Sequence, residues 1–246
     1  MVDQLFADAY LASLYDAWHP RETRVDYDLY LPRIMSSTAV LDVGCGTGTL
    51  LKDARRLGHS GRLCGLDPAS GMLDCARESE DIDWVLGDLQ SASWSAIFDL
   101  VVMAGHAFQA IARDEDIRAS LASVRRALVP GGMFAFETRH PAARAWERWK
   151  PENAVTITAP DGTPVNITTA VFAPFDGRTV SFTHTFTGAN VGLPQVSHST
   201  LRFLDVDTLE ALLREAGLSA EHWFGDFDGA PLSADSPEII VIARAL

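Results

Sequence analysis

The chain is poor in the features that mark several specialised classes. It has three cysteines, Cys45, Cys64 and Cys75. An odd set without metal-ligand spacing offers neither a disulfide framework nor a zinc site, so no metal is expected. No apolar run reaches the length of a membrane span, which argues against a membrane partner. Met1-Val2-Asp3-Gln4 lacks the basic start and apolar stretch of a signal peptide, so a cytoplasmic protein is expected. Basic residues are few: Lys and Arg total 20 against 33 Asp and Glu, a net charge of −13. A surface of that sign repels phosphate backbones, and no nucleic-acid partner is expected. Repeats and low-complexity tracts are absent, and 47 % apolar composition excludes wholesale disorder. What remains, at 246 residues, is a globular chain able to bury one sizeable core, with or without an insertion. The oligomeric state is not legible.

The hydrophobic rhythm divides the chain. Residues 1–36 read as a helical cap rich in aromatics, broken at His19-Pro20. From Ala39 short apolar runs alternate with amphipathic stretches. Strands are expected at Ala39–Val43, Arg62–Leu66, Asp83–Leu86, Phe98–Met103 and Met133–Glu137. Helices are expected at Thr49–Leu57, Ser70–Ser79 and Asp116–Leu128. Such alternation predicts an α/β fold with a mostly parallel sheet covered on both faces. The rhythm fails over 151–204, where Thr- and Val-rich runs are separated by Pro160-Asp161-Gly162, Asp176-Gly177 and Gly188. That stretch reads as an antiparallel β insertion, a lid. A helix at Asp207–Ala216 and a strand at Glu238–Ala243 resume the pattern. The expected core is therefore 37–150 together with 205–246.

The most specific local signal is Val40-Leu41-Asp42-Val43-Gly44-Cys45-Gly46-Thr47-Gly48. A buried strand runs into a glycine loop and then a helix, so the backbone can turn sharply and approach a ligand closely. The spacing is Gly-x-Gly-x-Gly, and Thr49 stands where a dinucleotide fingerprint needs its third glycine. The Lys-Ser/Thr of a P-loop is missing as well. Both pyrophosphate readings are weakened, a nicotinamide-dependent oxidoreductase among them.

Asp42-x-Gly44-x-Gly46-x-Gly48 resembles motif I of the class I S-adenosylmethionine-dependent methyltransferases. The resemblance extends over about 39–138, and more loosely from about 201. It implies a Rossmann-like, doubly wound, seven-stranded sheet. It implies S-adenosyl-L-methionine as cofactor and S-adenosyl-L-homocysteine as product, with Asp42, Gly44, Cys45, Gly46 and Gly48 around the cofactor. Asp67, followed by Pro68, lies about 20 residues past the glycines, the offset at which a carboxylate grips ribose hydroxyls. A helix cap is the competing role for Asp67, one that Ser70 is able to fill. In similar proteins the acid at Asp88 and the backbone at Leu89 meet the adenine, with Met72 packed on its face. Ala104, at the end of the fourth strand, adjoins the switch point where ligands bind in such sheets.

Methyl transfer is an in-line displacement from a sulfonium. A protein aids it chiefly by alignment in a dry site, and a base is needed only when the acceptor must lose a proton. Ala104-Gly105-His106-Ala107 replaces the Asn/Asp-Pro-Pro-Tyr/Phe common in enzymes that methylate base amino groups, and no Pro-Cys pair exists. With the net charge, this favours a small-molecule acceptor attacking through O or N. His106 is the expected proton acceptor. Phe108, Arg139, His140, Trp146, His184 and Arg202 are candidates for acceptor binding, with Arg139 or Arg202 suited to an anionic group. Tyr10, Tyr15 and Trp18 are candidates to close over the methionine end. A non-catalytic S-adenosylmethionine-binding module is the alternative.

Overall fold

A computed structural model describes residues 3–246. The seven-stranded sheet comprises β1 (Ala39–Val43), β2 (Arg62–Asp67), β3 (Asp83–Leu86), β4 (Phe98–Met103), β5 (Leu128–Arg139), β10 (Leu218–Phe224) and β11 (Glu238–Ala245). Its order is β10-β11-β5-β4-β1-β2-β3. β3, β2, β1, β4 and β5 run parallel, and β11 pairs antiparallel with both β5 and β10. The strands are nearly uninterrupted apolar runs because both faces are covered. Side chains alternate between two cores. Leu41, Val101, Phe134, Phe136 and Val241 face α7 (Asp114–Ala127) and α8 (Val206–Glu215). Val40, Leu100, Val102, Ala135, Ile240 and Ile242 face α4 (Asp26–Met35) and α5 (Thr49–Arg56).

α4 departs from the expected cap. Tyr27, Leu29, Tyr30 and Ile34 are buried in the α5-side core, so this helix is a layer of the α/β unit. The strap that precedes it, α1 (Gln4–Ala7), α2 (Ala9–Ser13) and α3 (Tyr15–Trp18), ends at the expected break at His19-Pro20. The β5 run is also longer than expected. It continues through Pro130-Gly131-Gly132, where a register shift against β4 absorbs the turn residues.

The insertion is a second, antiparallel sheet of β6 (Val155–Thr158), β7 (Pro164–Ala173), β8 (Thr179–Gly188) and β9 (Gln195–Arg202). Its inner face, with Ile157, Val165, Ile167 and Phe186, packs on Leu5, Leu11 and Leu14 of the strap. On its other side the strap meets α6 (Ser70–Ala76) through Ala12, Ala69 and Met72. The Leu5 N–H donates to Ser197 Oγ (2.9 Å), which stitches the strap to β9.

Trp84 on β3 lies across Gly65 of β2 and Gly48, donating Nε1–H to Ser79 O at 2.8 Å. A Cβ on Gly65 would overlap this ring and stand 2.8 Å from Cys45 Sγ. Gly65→Ala should therefore destabilise the fold by about 1–3 kcal/mol in denaturant titrations, and Trp84→Leu should recover part of that loss. An effect near zero would mean that the ring does not pack as described.

Candidate active site at the carboxyl edge of the sheet

β1 has β2 on one side and β4 on the other, so a crevice opens past their carboxyl ends. Gly44 turns the chain out of β1 with φ +72°, and a Cβ there would stand 2.6 Å from Ala107 Cβ. Only glycine fits both demands. The loop is then tied to the end of β2. Gly44 N–H donates to Leu66 O (2.8 Å), and Gly46 N–H donates to Asp67 Oδ2 (2.8 Å). The other carboxylate oxygen of Asp67 accepts from Ala69 N–H (2.8 Å), while Ser70 makes no cap. Asp67 thus closes a turn onto Ala69, the residue before α6, rather than capping the helix. Each oxygen accepts one backbone N–H and keeps a lone pair for a ribose hydroxyl. Burial raises the Asp67 pKa, and these two N–H groups pull it back.

The other expected cofactor residues are placed unevenly. Ala104 is buried at the end of β4. Asp88 is exposed at the rim, where Oδ1 accepts from Gln90 and Ser91 N–H. Leu89 is buried in the α7-side core, and Pro68 is exposed. The Cys45 thiol packs with Leu73, Ala76 and Trp84. Met72 is sealed between α6 and the strap, in packing rather than in the crevice.

Two charged residues complete the crevice. The Asp42 carboxyl is 2 % exposed, and no hydrogen bond from the described residues reaches it. Burial lifts its pKa to about 7; Arg24 opposes the rise, and Asp67, Glu137 and Asp26 add to it. Arg24 follows the strap, forks onto Asp26 at 2.9 and 2.7 Å, and lies over the Tyr27 ring. A Cβ on Gly105 would come within 3.2 Å of Arg24 Nη2, so the bare backbone makes room for the guanidinium. An unpartnered buried carboxyl beside a guanidinium fits the ammonium and carboxylate of a methionine moiety. The residues present therefore suit S-adenosylmethionine. Asp16 of the strap closes over the loop, accepting from Thr47 Oγ1 at 2.7 Å.

Beyond the crevice, His106 sits in the left-handed region, φ +62°. That strain is held by its N–H, which donates to Glu137 Oε1 at 2.6 Å. Glu137 is fully buried and also accepts from the Tyr30 hydroxyl. The His106 ring places Nε2 3.0 Å from Glu238 Oε2. Arg139 is the cross-strand neighbour of Glu238 in this pair, whereas Tyr15, Trp18 and His184 gather around His19. Trp18 stacks on His19 (4.7 Å between ring centroids) and meets His184 edge-on (4.8 Å). Tyr15 lies 4.8 Å from His19, and Phe182 joins His184 to Trp149. Burial lowers both His19 and His184 to about 4, so the wall is neutral.

Five candidates are placed elsewhere. Tyr10 packs against the strap–lid core. Phe108 is 2 % exposed against Phe136. Trp146 stacks with Phe175 and Phe203 in the lid's apolar centre. His140 Nδ1 caps a short turn by accepting from Ala142 N–H. Arg202 binds Asp114, tying the lid to α7. Arg24, Glu137, Glu238, Asp16 and His19 were not singled out in the sequence. Glu137 carried a usable signal, an acid closing the apolar run of a central strand.

A model of the methyltransferase domain family matches residues 40–132. The cypemycin N-terminal methyltransferase of Streptomyces sp is 27 % identical over 85 % of this chain and 84 % of its own length. The dTDP-3-amino-3,4,6-trideoxy-alpha-D-glucopyranose N,N-dimethyltransferase of Streptomyces venezuelae is 28 % identical over 85 % and 87 %. A malonyl-[acyl-carrier protein] O-methyltransferase of Hahella chejuensis is 31 % identical over only 40 % of this chain and 36 % of its own. Among solved structures, the CcbJ methyltransferase of Streptomyces caelestis superposes with a TM-score of 0.79 at 21 % identity, covering 99 % of both chains.

The Asp42 carboxyl generates a pH test. Its pKa is 3.8 when unperturbed and about 7 in the fold, so the folded state binds the extra proton. The stability this contributes is complete below about pH 4 and is lost as pH rises through about 7. Asp42→Asn should raise the melting temperature of the cofactor-free protein most at pH 8, less at pH 5 and little below pH 4. The same variant should bind S-adenosylmethionine about ten-fold or more weakly by calorimetry. A lower melting temperature for the variant at pH 8 would show that the native carboxylate has a cationic partner already.

Proposed function

We propose, from the premise that this chain is a class I S-adenosylmethionine-dependent methyltransferase, that it transfers a methyl group to the amine of a small molecule and that His106 receives the amine's proton. The observation that carries this reading is the His106–Glu238 pair at the end of β4, beside the crevice. An amine is protonated near neutral pH and has no free lone pair until it gives that proton up. Glu238 holds Nε2, which leaves Nδ1 of the same ring to accept it. The names of the relatives support nitrogen. The two aligned along 85 % of this chain are named for an N-terminus and for an N,N-dimethylation, whereas two named for O-methylation align along 40 % and 46 %.

S-adenosylmethionine supplies a methyl on a positively charged sulfur, leaving S-adenosylhomocysteine after transfer. Asp67 would hold the ribose, with Asp88 at the rim toward the adenine. Asp42 and Arg24 would hold the two charges of the methionine end. The strap, latched by Asp16, and the aromatic wall of Trp18, His19 and His184 exclude water from the amine's path. His106 passes its proton to water when the product leaves.

Asp67→Ala should weaken S-adenosylmethionine binding by about ten-fold or more in calorimetry. His106→Gln should keep that affinity but lower kcat by about 100-fold. Protein incubated with a metabolite extract and methyl-labelled S-adenosylmethionine should place the label on nitrogen. Label on oxygen would overturn the amine assignment.

A further inference from the structure

Arg139 ends β5 directly opposite Glu238 in the antiparallel register with β11. Cross-strand neighbours in such a pair lie about 5 Å apart at Cβ, close enough to join. They do not. Glu238 turns to His106, and Glu137 is taken by the Tyr30 hydroxyl and the His106 N–H. The Arg139 guanidinium makes one hydrogen bond among the described residues, from Nη1 to the neutral amide oxygen of Gln109 at 2.9 Å. No carboxylate of those residues comes within ion-pair distance of it. Its other N–H groups are not among the sealed, unpartnered atoms of the fold, so they stay accessible to a ligand from solvent.

The surroundings sharpen the contrast. Trp149 lies 5.7 Å from the guanidinium carbon, and the nearby wall is Tyr15 and a neutral His19. Burial pushes the Arg139 pKa down, against the pull of Glu238 and Glu137. Arg24, by comparison, forks onto Asp26, and Arg202 reaches Asp114 through Nη2. Arg139 is thus a partly buried cation without a carboxylate partner. An uncompensated charge in such a place is costly unless a ligand completes it.

We propose that Arg139 is the anchor for an oxyanion on the acceptor, so that the substrate is an amine that also carries a carboxylate or phosphate group. This rests on the amine reading above and narrows it. The guanidinium offers a planar pair of N–H donors that fits either oxyanion. Because Glu238 is the cross-strand neighbour of Arg139 and binds His106, the anion site lies beside the proton acceptor. The oxyanion thereby fixes the direction from which the nitrogen approaches the methyl.

The test uses the full chain loaded with S-adenosylhomocysteine, titrated with acetate, with inorganic phosphate and with neutral acetamide. At least one oxyanion should bind about ten-fold more tightly than acetamide, and Arg139→Gln should erase that preference. Arg139→Lys should keep part of it, since charge survives without the fork. Affinity for S-adenosylhomocysteine should stay within about two-fold in both variants, showing that they are folded. If Arg139→Gln does not fold, the Arg139→Lys comparison carries the test. Acetate preferred over phosphate identifies a carboxylate acceptor, and the reverse a phosphorylated one. No oxyanion preference in the wild type, or one that survives in Arg139→Gln, overturns the proposal. Either result leaves the amine assignment standing, because that depends on the labelled atom.

Discussion

Four buried carboxyl groups, Asp26, Asp42, Asp67 and Glu137, crowd the carboxyl edge of the sheet around Arg24. Burying like charges together is expensive, and each acid is managed differently. Asp26 takes the fork of Arg24. Asp67 is fed by two backbone N–H groups. Glu137 takes a tyrosine hydroxyl and a histidine N–H. Asp42 is left with no hydrogen bond from the described residues, and burial lifts its pKa. Such an edge favours a ligand that brings positive charge. A sulfonium with an ammonium does so, and a pyrophosphate does the opposite. The same physics that weakens the cofactor-free protein selects its ligand.

The strap connects this edge to the insertion. It is sandwiched between the lid sheet and α6, with one end stitched to β9 and the other latched to the glycine loop by Asp16 and Thr47. Its last aromatic residues, Tyr15 and Trp18, pack around His19. The strap therefore couples the insertion to the glycine loop.

Much of this was legible before any coordinates. The glycine loop, Asp67 and the parallel strands follow from local rules, because turn chemistry and uninterrupted apolar runs are written in consecutive residues. The insertion could be read from Thr- and Val-rich runs between turn signals. The acceptor side could not. Arg24, Glu137 and Glu238 gain meaning only from residues roughly 20 to 130 positions away, and Trp146 and Phe108 resemble site aromatics until their packing partners are known.

The sequence by itself determined the alternating α/β core, the site of the glycine turn and the acid that ties it down. Those are consequences of periodicity, of positive φ at Gly44 and of strand-to-helix spacing. Only the tertiary structure decided which polar groups converge. It turned Glu238 to His106 and left Arg139 on the neutral amide of Gln109, with no ion pair among the described residues, although register sets Arg139 and Glu238 side by side. The reason is that a buried charge takes whichever partner the surrounding packing presents. That presentation depends on how sheet, strap and lid close together.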